Sequence, residues 1–192
     1  IHNMKVKGET NMMRKKIFGI LMSTLVCTSL LFGNVTTTYA IDSTSEAKNI
    51  VNNMTIEQKI GQMLMPDFRY WQMEGESFQS DFTEMNDEVA KIINDFDLGG
   101  CILFAQIVKT TEQTRQLTHD LQEIIKNDNS NNIPLLITID QEGGIVTRLG
   151  TGTSLPGNMA IGATKNESSS YKAGQVIGKE LSSLGINVNF SP

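Results

Sequence analysis

The chain has 192 residues, with 16 basic against 21 acidic side chains and a formal net charge of −5. That balance argues against a nucleic-acid surface, which needs a basic face. With cysteines only at positions 27 and 101, no disulfide framework supports the fold.

Residues 1–40 read as a secretory signal peptide with a few residues upstream. Arg14, Lys15 and Lys16 make a positive n-region, Ile17 to Gly33 is apolar and uncharged, and Thr38-Tyr39-Ala40 offers a small-residue cleavage site. Translation is expected from Met12 or Met13, with Met4 as the alternative, and cutting after Ala40. The product is expected to be secreted or held at the cell surface, with no stable membrane insertion after cleavage. An uncleaved anchor is the alternative, because the apolar run reaches the lower edge of spanning length. Lipidation at Cys27 is disfavoured by Val26, where a small residue belongs. Removing residues 1–40 takes away five basic residues and one acidic residue, leaving 11 against 20 and a net charge of −9. The remaining cysteine, Cys101, lies in an apolar run and reads as a buried small hydrophobe.

From residue 41 onward two periodicities alternate. Ser43-x-x-Glu46 reads as a capping box before a helix with Ala47, Ile50, Val51 and Met54 on one face. Thr55-x-x-Gln58 opens a second helix through Gly61. Met63-Leu64-Met65, stopped by Pro66-Asp67, reads as a first strand, and Arg69 to Thr83 as a long loop. Met85, Val89, Ile92, Ile93 and Phe96 follow at helical spacing. Gly99-Gly100 breaks the chain before a second strand, Cys101 to Phe104. Thr110-x-x-Gln113 caps a helix with Leu117, Leu121, Ile124 and Ile125 inward. Asn127 to Asn132 is a polar loop, and Pro134 to Ile139 a third strand. Thr164-x-x-Glu167 caps a helix carrying Ala173, Val176, Ile177, Leu181 and Leu184, closed by Gly185. Ile186 to Phe190 is a fourth strand.

Strands apolar on both faces, separated by helices, predict parallel α/β structure. Either half of a (β/α)8 barrel or an open doubly wound sheet satisfies this order. In both, functional groups sit just beyond the carboxyl ends of strands. Asp140 follows the strongest strand directly. Gly143-Gly144 permits a sharp turn and a close backbone approach to a ligand. Arg148 can swing back over the same opening, and a carboxylate with a guanidinium can grip vicinal sugar hydroxyls. A plain loop ion pair between Asp140 and Arg148 is the alternative. Asp140 and Glu142 as a glycosidase acid/base pair is disfavoured, because neighbours in one loop would sit on the same side of the scissile bond. His119 reads as solvent-facing, no cluster has metal-ligand spacing, and no phosphate loop or nucleophile elbow occurs.

The run Asp140 to Leu149, DQEGGIVTRL, resembles the signature of glycoside hydrolase family 3. Leu155-Pro156-Gly157-Asn158-Met159-Ala160 and Gly185 to Pro192 follow in the family's order. Met54 to Met63 resembles its opening. The resemblance covers about Met54 to Pro192 and is nearest to exported bacterial β-N-acetylglucosaminidases of the peptidoglycan-recycling type. It implies a (β/α)8 TIM-like barrel, of which residues 41–192 would be the N-terminal part, about four βα units. It also implies hydrolysis of terminal β-linked N-acetylglucosamine by a retaining mechanism, with no cofactor and a glycan as partner. The aspartate and arginine at the positions of Asp140 and Arg148 would hold hydroxyls of the sugar in the −1 subsite. Ile145 departs from the arginine of many relatives. The family's Lys-His-Phe-Pro-Gly-His-Gly block, its Asp/His acid/base pair and its nucleophilic aspartate do not occur here, so no catalytic residue is expected in this chain. A non-catalytic half-barrel module and a β-glucosidase are the alternatives.

Overall fold

A computed structural model describes residues 43–128 and 132–191. The signal-peptide reading, Cys27 and the tip of the 127–132 loop lie outside the described residues. The unit that holds the rest spans Thr44–Pro192.

Helix α1 (Ser43–Asn53) is largely exposed. Helix α2 (Ile56–Gln62) has the expected capping box: Gln58 N donates to Thr55 Oγ1 at 3.2 Å and Thr55 N to Gln58 Oε1 at 3.0 Å. The first expected strand does not form. Met65 and Pro66 run beside the sheet, but the recorded ladder bond is Ile102 N to the Pro66 carbonyl, at 3.1 Å. In a parallel ladder the accepting residue also donates back, and Pro66 has no N–H to donate.

The expected loop at 69–83 contains an antiparallel pair, β1 (Tyr70–Trp71) and β2 (Ser80–Asp81). It is pinned from outside its own span. Trp71 Nε1 donates to Glu88 at 2.7 Å, and Lys109 pairs with Asp81 at 2.8 Å. Phe68 packs edge-on to Trp71 and tilted to Phe82, with centroids 6.0 Å apart in each case.

Helix α3 (Asp87–Asp95) is capped by Asn86, and it buries Val89 and Ile93 while Phe96 ends it in solvent. Strand β3 (Gly100–Leu103), helix α4 (Thr111–Asp128) and strand β4 (Leu136–Ile139) follow. Gln113 N donates to Thr110 Oγ1, as the cap predicts. Helix α5 (Asn158–Ala163) has no counterpart among the expected elements. Helix α6 (Glu167–Ser183) is capped by Asn166 Oδ1, not by Thr164. Thr164 Oγ1 instead accepts from Asn166 N one turn earlier. Gly185 takes φ +75° after the helix, and β5 (Val188–Asn189) completes the sheet.

The sheet runs β3-β4-β5, all parallel, with Cys101 opposite Ile137 and Thr138 opposite Val188. The core lies between this sheet and the inner faces of α3, α4 and α6. It includes Val89, Ile93, Leu103, Leu117, Leu121, Ile125, Ile137, Ile139, Leu181 and Ile186. Thr118, buried on α4, donates to the Leu184 carbonyl at 2.6 Å and ties that helix to the turn before β5. Cys101 is 2% exposed, as expected, and burial pushes its thiol up to about 12, with the Asp67 charge adding to the shift. No described helix is long and apolar enough to cross a membrane.

Candidate functional site

The carboxyl ends of β3 and β4, with the neighbouring stretch after Pro66, bring five side chains together: Asp67, Arg69, Phe104, Asp140 and Arg148. Asp140 follows β4 immediately. Arg148 Nη2 lies 3.5 Å from Asp140 Oδ2, with the two side chains 24% and 25% exposed. Both predicted site residues therefore meet at the expected place. The contact is loose for a charged pair, whose hydrogen bonds run nearer 2.8 Å. Each group keeps capacity to bond a ligand hydroxyl.

The loop between them is held by a residue the sequence reading left unassigned. Gln141 is 2% exposed, and its Oε1 accepts from Arg148 N at 2.7 Å and Leu149 N at 3.2 Å. Its main chain is held in turn by Asn189, whose side chain accepts from Gln141 N at 2.8 Å and donates to Gln141 O at 2.9 Å. One amide thus brings position 148 back to the start of the loop. The signal was a glutamine inside an otherwise charged and glycine-rich run.

Gly143 and Gly144 make the sharp turn, with φ of +86° and +60°. The turn also brings the chain close to itself. Gly144 N donates to the Leu155 carbonyl at 2.9 Å, and a Cβ on Gly144 would stand 2.9 Å from Gly157. The Leu155-Pro156-Gly157 block is therefore the wall against which the loop folds. Ile145 sits at the exposed apex of this turn. Glu142 faces Asn158, whose Nδ2 donates to it at 3.3 Å. Asp140 and Glu142 thus have separate partners, which fits binding and support better than a joint acid/base role.

Arg69 enters from the stretch after Pro66. It pairs with Asp67 at 2.8 Å, and its guanidinium lies 3.7 Å from the Phe104 ring centroid. The Arg148 guanidinium lies 5.6 Å from the same ring. The Nε atoms of both arginines are buried without a hydrogen-bond partner. Sequence reading missed Arg69 because the contact that places it spans 35 residues. His119 is exposed, as expected, beside Asp120 and Glu123. Glu123 is held below the usual carboxylate range by its hydrogen bond to Lys126. Among the described residues no group of three His, Cys, Asp or Glu is placed to hold a metal.

Comparison with known proteins shows what this chain is similar to. The profile of the glycosyl hydrolase family 3 N-terminal domain matches residues 55–192. Beta-hexosaminidase A of Pseudoalteromonas piscicida is 44% identical over 148 residues, covering 72% of this chain and 25% of that protein. A family 3 beta-N-acetylglucosaminidase from Paenibacillus sp. str. FPU-7 superposes with a TM-score of 0.62 at 41% identity, over 72% of this chain and 24% of that one. NagZ from Neisseria gonorrhoeae, solved in complex with N-trifluoroacetyl-D-glucosamine, gives a TM-score of 0.53 at 26% identity, over 67% of this chain and 35% of that one. The chain spans about a quarter of the length of the first two.

Proposed function

We propose a function on the premise that this chain belongs to glycoside hydrolase family 3 and has the TIM-barrel-type fold of its N-terminal domain. The whole protein is a glycosidase that releases terminal β-linked N-acetylglucosamine from peptidoglycan-derived or related glycans. The names of the relatives support the hexosaminidase assignment. The observation that carries the site is the loose Asp140–Arg148 pair at the carboxyl end of β4.

Retaining hydrolysis needs a nucleophilic carboxylate and an acid/base group on either side of the scissile bond. Asp140 and Arg148 serve a different need. A sugar ring presents adjacent hydroxyls that both donate and accept. Asp140 accepts from one, and Arg148 donates to its neighbour. Together they orient the ring so that the anomeric carbon meets reacting groups supplied elsewhere in the protein. Export follows from the basic cluster, apolar run and small-residue site of residues 14–40. It places the enzyme where cell-wall glycans are.

The test is hydrolysis of p-nitrophenyl N-acetyl-β-glucosaminide by the full-length protein recovered from the culture medium, expected to begin at Ile41. Residues 41–192 alone are expected to be inactive. Asp140→Ala in the full-length protein is expected to raise KM by at least ten-fold, the weight of one charged hydrogen bond lost. Turnover by residues 41–192 alone would overturn the assignment of the reacting groups to other parts of the protein. An unchanged KM in Asp140→Ala would overturn the sugar-binding role.

A further inference from the structure

The Arg148 guanidinium has few restraints. Among the described residues its Nε makes no hydrogen bond, and Nη2 reaches Asp140 only at 3.5 Å. Gln141 holds its main chain, but four rotatable bonds separate that anchor from the charged group. The guanidinium also lies over the ring of Phe104, 5.6 Å from centroid to Cζ. That ring follows β3 directly and is not part of the buried core cluster.

We infer that Phe104 is a positioning residue that holds the Arg148 guanidinium in place for the sugar, an assignment that rests on the binding role proposed above. The ring's negative face attracts a cation within about 6 Å. Two cations share this ring, and they would repel if both were bare. Asp67, 2.8 Å from Arg69, neutralises the nearer one. The short pair and the 3.7 Å stacking seat Arg69 on the Phe104 ring. Arg148 lies over the same ring, which leaves its hydrogen-bonding edge available. The ring cannot compete for that edge, because an aromatic face attracts the cation without accepting the directed bonds a hydroxyl needs. A carboxylate in the same place would compete for it.

Substitution at Phe104 in the full-length protein, assayed with p-nitrophenyl N-acetyl-β-glucosaminide, tests the assignment. Phe104→Leu keeps apolar bulk and loses the ring face. Phe104→Tyr keeps the face. Phe104→Leu is expected to raise KM about three- to ten-fold with kcat within two-fold, the range of one cation–π contact. Phe104→Tyr is expected to stay within two-fold of the parent. In an Arg148→Ala background, Phe104→Leu is expected to change KM less than two-fold, because the group it positions is gone. The assignment is overturned if Phe104→Leu leaves KM unchanged, if Phe104→Tyr is equally impaired, or if the Phe104→Leu effect is the same in both backgrounds. Early melting of Phe104→Leu would likewise make the ring a core element and overturn it. If Arg148→Ala by itself leaves KM unchanged, the sugar-binding reading fails instead.

Discussion

Replacing Gln141 by methionine keeps a side chain of similar length and removes the primary amide, its Oε1 acceptor and its Nε2 donor together. The acceptor lost is Oε1, which takes bonds from Arg148 N at 2.7 Å and Leu149 N at 3.2 Å. Leu149 is buried, and Gln141 is 2% exposed. Water therefore cannot readily replace the acceptor. Two main-chain N–H groups are left with their desolvation cost unmet, at about 1–3 kcal/mol each. Partial relaxation of an exposed-edged loop lowers the sum, so the expected loss is about 2–4 kcal/mol. For a domain of this size that lowers the melting midpoint by roughly 5–15 °C. The same change lets position 148 drift from Asp140, so KM for p-nitrophenyl N-acetyl-β-glucosaminide rises with the loss of stability. Gln141→Glu keeps an acceptor oxygen and should lose less of both. If Gln141→Met melts with the parent and binds substrate as well, the loop is held by something other than this amide.

Two further outcomes follow from the same packing. Gly144→Ala places a Cβ 2.9 Å from Gly157 on a backbone at φ +60°, and is expected to cost about 1–3 kcal/mol in a thermal melt. Gly150→Ala, which meets nothing within 4 Å, should be near neutral, and equal melts for the two would refute the contact argument. Burial raises the Cys101 pKa from 9.0 to about 12, so the folded chain holds its thiol proton where the unfolded chain loses it. Stability from this group is complete below about pH 9 and is lost between pH 9 and 12, at up to about 1.4 kcal/mol per pH unit. The stability gap between the parent and Cys101→Ala should narrow from pH 9 to pH 10, and a constant gap would show that the thiol is not buried as described.

The parts of the fold legible in the sequence are those whose signal is local and repeated. Ile137 and Ile139 on one side and Thr138 on the other are all buried, so β4 reads as apolar without alternation. Leu117, Leu121 and Ile125 mark one face of α4 at every turn. Met63-Leu64-Met65 carried the same apolar signal and misled, because one missing N–H at Pro66 decides the outcome there. The β1–β2 pair was hidden because its two strands are short and its anchors, Glu88 and Lys109, lie outside it. At the cap of α6, Thr164 and Asn166 are both good capping residues, and only the positive φ of Lys165 between them selects the second. Asp140 was legible because a charged residue directly after an apolar strand has few structural uses, and Arg148 because it is the next cation along the same glycine-rich run. Gln141 and Arg69 were not, since each acquires its meaning from a residue brought near by the fold.

The strand ends share one device that explains why charged groups remain for a ligand. Asn187 accepts from Ile137 N and donates to Leu135 O, both at 2.9 Å. Asn189 does the same for Gln141, and Gln122 for Leu135, donating to its carbonyl at 2.9 Å and accepting from its N–H at 3.0 Å. Each primary amide offers one acceptor and one donor group, so it completes a main-chain pairing as another peptide would. A carboxylate could supply only the acceptor and a guanidinium only the donors, and either would bring an uncompensated charge into a half-buried place. Neutral amides thus set the positions of β4, β5 and the loop that follows. Because they do so, Asp140 and Arg148 are not needed to hold the backbone, and the 3.5 Å between them is the spacing of two groups placed by their neighbours and open to a third partner.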